Sequence, residues 1–153
     1  MTTWKNPPKA KVYEALSAVA DGRVSIIDNS RAARVVSSGG DKSYTVTWNE
    51  DETAFGSNDN ASYWQGYLGY PIIAVLFALG KLQYAPDVAK HLSNVAWKRI
   101  NNAHKRNYDA AVDEVLANLK DEQRAAVGRE VSRVYEELEA LAIQRLAAGK
   151  PPK

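Results

Sequence analysis

Apolar residues recur along this chain in several rhythms, and each rhythm predicts a different element. Val12, Leu16 and Val19 fall at i, i+4 and i+7, which predicts a helix from residue 8 or 9 to 20, stopped by Asp21-Gly22. The period then changes to two. Across 42–49, Tyr44, Val46 and Trp48 alternate with Ser43, Thr45 and Thr47, the pattern of a strand with one buried face. Shorter runs at 23–28, 33–37 and 53–57 read as neighbouring strands, and Ser38-Gly39-Gly40-Asp41 reads as a hairpin turn. An antiparallel meander follows, with one face on helices and the other in water.

The densest apolar stretch is 58–82. Ser62 with Gln65 three residues later has the form of a capping box and predicts a short helix near 62–69. Pro71 cannot sit inside a helix but suits a first turn, so a second helix is expected over 71–79 with Gly80 at its end. The run from Ile72 to Leu79 is apolar all round, which means burial on every side. It is far shorter than the ~18 residues a membrane span needs.

Beyond it, 86–92 reads as a short helix, and 95–119 can be wound as one helix with Trp97, His104, Tyr108, Ala111, Val115 and Leu119 along one side. A long helical pattern covers 121–148, in which Val127, Val131, Val134, Leu138 and Leu141 are spaced 4, 3, 4, 3, the rhythm of a coiled-coil seam. The expected class is α+β: an N-terminal helix, a three- to four-stranded antiparallel meander, then a helical half with a long C-terminal helix. Residues 1–8 form an arm that Trp4 can pin, 9–119 one globular domain, 120–148 the C-terminal helix and 149–153 a tail. The seam can dock on the body or on another copy, and the pattern does not choose.

Composition narrows the classes. A chain of 153 residues with 45% hydrophobic and 25% charged residues fits one globular domain. The absence of cysteine removes disulfides, thiolate catalysis and cysteine-rich zinc sites. No apolar leader opens the sequence, so a cytoplasmic protein off the membrane is expected and the Asn60-Ala-Ser62 sequon is idle. Net charge is only +2, yet residues 61–110 hold 6 basic and 2 acidic groups, which places the positive excess near 98–106.

Candidate chemistry is sparse. Gly39-Gly40 lies between strands, whereas a phosphate loop needs a helix N-terminus after it. Glu50, Asp51 and Glu52 read as a solvated turn. His91 and His104 have no carboxylate at relay or ligand spacing, and no G-x-S-x-G occurs. No catalytic residue, metal site or cofactor is expected. Three surfaces remain. Lys98, Arg99, Asn102, Lys105 and Arg106 share one face of the 95–119 helix and suit phosphate contacts, with Asp109 and Asp113 placed to neutralise some of them. Tyr63, Trp64, Tyr67 and Tyr70, with Asn58, Asp59 and Asn60 at the rim and Gly66 and Gly69 allowing close approach, form a candidate pocket wall. The seam is a candidate self-association face. The first reading is therefore a non-catalytic binding module with weak affinity for nucleic acid or another polyanion. A homo-oligomeric assembly protein is the alternative, and a small enzyme or ligand-binding protein using the aromatic cleft the third.

Overall fold

The computed structural model describes residues 2–152 and is α+β, as the periodicities predict. Helix α1 (Ala10–Ala20) leads into strands β1 (Val24–Ile26), β2 (Ala32–Val36), β3 (Ser43–Trp48) and β4 (Ala54–Ser57), each antiparallel to the one before. In β3 the two-residue alternation is realised: Tyr44, Val46 and Trp48 are buried, while Ser43 and Thr45 face solvent. Helix α2 (Tyr70–Ala78) lies across β1 to β4 and against α1, and its Pro71 to Phe77 are buried. Gly80 ends it with φ 77°, a value that glycine adopts without a Cβ clash. The remaining elements are α3 (Pro86–Ala89), a single 3₁₀ turn (Lys90–Leu92), α4 (Trp97–Ala103), α5 (Tyr108–Ala117), α6 (Asp121–Leu141) and β5 (Gln144–Arg145).

Two helices expected from the pattern are shorter than it implies. The 95–119 helix is interrupted at 104–107, where Lys105 and Arg106 take left-handed φ values of 53° and 64°. No proline or glycine marks the break. Asn107 does: its side-chain oxygen accepts from the N–H of Ala110 at 3.1 Å and starts α5 as an N-cap. The 121–148 helix stops at Leu141, and Ala142 turns the chain with φ 47°. Residues after it have good helix propensity, but the open edge of β4 offers unpaired backbone groups, and pairing there wins. β5 joins β4 in parallel, so the sheet has five strands in the order β1-β2-β3-β4-β5.

The same edge holds the N-terminal arm. Trp4 is buried, its indole N–H donates to the Phe55 carbonyl at 2.7 Å, and its backbone N–H donates to Ile143 at 2.9 Å. Arg145 lies over the Trp4 ring at 4.5 Å, and the Tyr135 hydroxyl donates to the Pro7 carbonyl at 2.7 Å. In α6, Val127, Val131, Val134 and Leu138 are buried by the chain's own body, and Leu141 alone of the seam is exposed. Among the described residues no helix is long and apolar enough to cross a membrane.

Candidate functional site

The 57–69 segment is organised by one buried carboxylate. Asp59 accepts from the Ser57 hydroxyl at 2.5 Å, from the Ser62 hydroxyl at 2.7 Å and from the Ser62 backbone N–H at 3.0 Å. Each serine oxygen also accepts, Ser57 from the Asp59 N–H and Ser62 from the Gly69 N–H at 3.1 Å. The expected Ser62–Gln65 capping box is therefore not formed. Asp59 caps the turn in its place, and the expected 62–69 helix is a five-residue π turn (Ala61–Gln65) closed by Gly66 at φ 74°. Gly69 can approach Asp59 and Ser62 so closely only because it lacks a Cβ; that atom would lie 2.8 Å from both Asp59 Cγ and Ser62 Oγ. This network aims Trp64 outward and Tyr67 and Tyr70 inward, towards α1.

Opposite stands α4 with the 104–107 turn. Trp97 is buried and donates its indole N–H to Ser17 Oγ at 2.7 Å, which fixes α4 on α1. Lys98 reaches back to the β2–β3 turn, where its Nζ is 2.6 Å from Asp41 Oδ2 and its N–H donates to Ser38 Oγ at 3.1 Å. Asp41 also accepts from the Ser37 hydroxyl at 3.0 Å. These hydrogen bonds from Lys98 and Ser37 hold its carboxyl below the usual aspartate value. The break after His104 brings the exposed Arg106 to the edge of the same space and Tyr108 over Lys11 of α1.

Between these two walls lies a cavity of about 530 Å³, within the ~300–1,000 Å³ of ordinary ligand sites. The two leads read separately from the sequence meet in it. From the aromatic stretch come Asp59, Asn60, Trp64, Tyr67 and Tyr70; from the basic stretch come Lys98, Asn102 and Arg106. Arg99 faces a shallow neighbouring depression beside Gly39 and Ala96. Lys105, Asn58 and Tyr63 lie outside the cavity. Asn58 accepts from the Thr45 N–H at 2.8 Å, and Tyr63 packs edge-on against Trp64. The expected pairing of Asp109 with Lys105 or Arg106 is absent among the described ion pairs, because the break removes the helical register it needs. His104 instead meets Glu114, with Nε2 and Oε1 3.0 Å apart.

The floor was not foreseen. Lys11 and Glu14, both 5% exposed, project from α1 into the cavity as an ion pair at 3.0 Å. Burial alone would depress the Lys11 ammonium, but the Glu14 carboxylate, by charge and by hydrogen bond, and the Tyr108 phenol more than offset it and raise it above the ordinary lysine value. Tyr108 sits with its ring 4.1 Å from Lys11 Nζ. Burial raises the phenols of Tyr44, Tyr67 and Tyr70, so all three remain neutral hydrogen-bonding groups at physiological pH. Arg23 comes in from the other side and donates to the Val36 carbonyl at 2.7 Å. In total the lining holds five cations (Lys11, Arg23, Lys42, Lys98, Arg106) against two carboxylates (Glu14, Asp59).

Comparison with known families adds one result. A family model described as "Uncharacterised conserved protein UCP014422" matches residues 4–144. The chain belongs to that family. No curated protein and no solved structure matches it. The family match spans all the residues lining the cavity, from Lys11 to Tyr108. Lys11 and Glu14 are spaced three apart beside an apolar stripe, a pattern indistinguishable in sequence from a solvated surface pair. The only hint available was that Lys11, Glu14 and Ser17 follow one another at i, i+3 along one flank of α1.

Proposed function

We propose that this protein is a non-catalytic binding module that holds a small phosphate- or carboxylate-bearing ligand in the cavity between the 59–70 segment and α4. The observation that supports it is the convergence of five cations and several aromatic faces on one cavity that contains only two carboxylates. Lys42 and Arg106 have no ion-pair partner among the described residues, so their charge is uncompensated there. A cleft with one dominant sign of charge concentrates ligands of the opposite sign. An extended nucleic-acid face has less support, since Arg99 and Lys105 leave the concavity. Self-association through the α6 stripe also has less support, since its central residues are already covered within one chain.

The test is a titration of ribose 5-phosphate, followed by tryptophan fluorescence at low and high salt. Trp64 is 68% exposed at the mouth and serves as the reporter. Lys98→Gln with Arg106→Gln is expected to weaken binding about tenfold or more, the worth of one or two charge-assisted hydrogen bonds. Arg129→Gln, an exposed cation on α6, is expected to change nothing. Absence of binding at low salt, or an equal loss in the Arg129 variant, would reject the proposal.

A further inference from the structure

One large apolar side chain stands apart from the others. Trp4, Trp48 and Trp97 are buried, whereas Trp64 is the most exposed large apolar residue among those described. A lone exposed hydrophobe is ordinary on a protein surface, so its position carries the argument. Trp64 lines the mouth of the cavity, on a π turn that the buried Asp59 network holds in place. Tyr63 packs edge-on against its indole with ring centroids 4.6 Å apart, which sets the direction of the exposed ring. The polar groups that share the mouth are amides. Asn60 and Gln65 come from the same turn and Asn102 from the opposite wall, all three exposed. Asn49, Asn58, Asn107 and Asn118 use their side chains in hydrogen bonds within the chain, but Asn60, Gln65 and Asn102 make none among the described residues.

An amide both donates and accepts, whereas an ammonium or guanidinium only donates and a carboxylate only accepts. A bare anion would leave the amide carbonyls without a use. The group that matches an amide on both counts is the hydroxyl. A ring with C–H groups on its faces and hydroxyls around its edge then fits the whole mouth, its face on the indole and its edge on the amides. We infer that the ligand is an anionic sugar, its ring lying on Trp64, its hydroxyls on Asn60, Gln65 and Asn102, and its acidic group at Lys42 and Arg106. This rests on the anionic-ligand reading above and adds the sugar ring to it. The fold brings these parts to one end of the sheet. Val46 pairs with Ser57, so the end of β3 that follows Lys42 is also the end from which β4 leads into the π turn. Helix α4 docks at that end as well, through the bonds from Lys98 to Ser38 and Asp41, and it carries Asn102 with Arg106 just beyond. A sugar phosphate and the acidic end of a saccharide chain present the same groups.

The experiment is calorimetric titration of the full chain, which needs no fluorescent reporter, with glucose 6-phosphate, cyclohexyl phosphate, phenyl phosphate and inorganic phosphate. Glucose 6-phosphate is expected to bind about tenfold or more tightly than inorganic phosphate and than cyclohexyl phosphate, whose ring has no hydroxyls; that factor is the worth of one or two hydrogen bonds. Trp64→Ala is expected to weaken glucose 6-phosphate about tenfold, and Trp64→Tyr, which keeps an aromatic face, by less. Gln65→Ala with Asn102→Ala is expected to narrow the gap between glucose 6-phosphate and cyclohexyl phosphate. All three positions are exposed, so the variants keep the fold. A glucuronate-terminated disaccharide separates the sources: tighter binding than glucose 6-phosphate assigns a saccharide end, weaker binding a free sugar phosphate, and both support the inference. Equal affinity for all four phosphates, tightest binding of phenyl phosphate, or an unchanged affinity in Trp64→Ala would overturn the sugar assignment and leave the anionic site standing. If no anion binds, both proposals fall.

Discussion

Gly69→Ala tests whether the Asp59 network, and not the aromatic packing around it, sets the cavity's shape. Gly69 has φ −72°, an ordinary value, so alanine meets no backbone strain there. The obstacle is contact: the new Cβ would sit 2.8 Å from Asp59 Cγ and from Ser62 Oγ, both fully enclosed. Overpacking of this kind costs about 1–3 kcal/mol. Displacing the carboxylate also weakens its bonds from Ser57 and Ser62, each worth roughly 1.5–3 kcal/mol as a charged hydrogen bond. A loss of about 3 kcal/mol overall corresponds to a melting point lowered by roughly 6–12 °C in a chain of this size. Gly66→Ala is the contrast. Its φ of 74° costs an alanine about 1–2 kcal/mol, but its Cβ would touch only the tip of Arg145 at 3.5 Å. Urea unfolding of both variants should therefore rank Gly69→Ala as the worse, despite its unremarkable φ. In a double-mutant cycle, Asp59→Ala should relieve the clash, so the pair should destabilise by less than the two single losses added. A Gly69→Ala protein within about 0.5 kcal/mol of wild type, or strict additivity in the cycle, would refute this reasoning.

Two further predictions concern the helical half and the buried charges. Val134 is fully buried within the chain, so Val134→Glu should unfold the body by placing an unpaired charge there, at a cost of several kcal/mol; a well-folded variant with a smaller mass in light scattering than wild type would contradict docking in cis. Lys11, Tyr44, Tyr67 and Tyr70 all bind their protons more tightly when folded, so the stability they contribute is complete below pH about 10 and falls as pH rises past it. Urea midpoints at pH 8, 9, 10 and 11 should drop at the alkaline end and drop less in Lys11→Met; a flat profile to pH 11 would refute the assignment.

How much of this could be read from the residues depended on the range of the interactions involved. The β3 alternation, the proline at the start of α2 and Gly80 at its end are local signals, and they placed their elements within a residue or two. The failures share a different cause. Ser62 and Gln65 have the spacing of a capping box, but a better acceptor, Asp59, stands three residues before Ser62 and takes its N–H. The end of α6 is set by the empty edge of β4, which no window around residues 142–148 contains. The α4–α5 break has a local signal after all, in Asn107 as an N-cap, but an unbroken helical periodicity outweighed it. For the site, the aromatic and basic stretches were both visible as compositions. Their meeting across one cavity was not, because it depends on α1 lying between them and on the turn at Lys105 and Arg106.

The Lys11–Glu14 pair bears on why such a cavity is retained at all. A buried ion pair recovers at best about what its desolvation costs, and apolar residues of similar volume often serve stability equally well. Arg23 Nε adds to that cost, since it is enclosed without a hydrogen bond, 3.4 Å from Asp21. Every such group costs roughly 1–3 kcal/mol against a satisfied one. The chain also lines the same cavity with three phenols, Tyr44 buried and Tyr67 and Tyr70 half-buried. Stability alone gives no reason to gather these groups on the flank of α1 that faces the cavity, while the opposite flank packs Val12, Ala15 and Leu16 in an ordinary core. An anionic ligand held among the cations and phenols of the lining gives one. Such a lining discriminates by shape and hydrogen bonding as well as by charge, because a ligand that leaves the polar groups around it unpaired loses affinity.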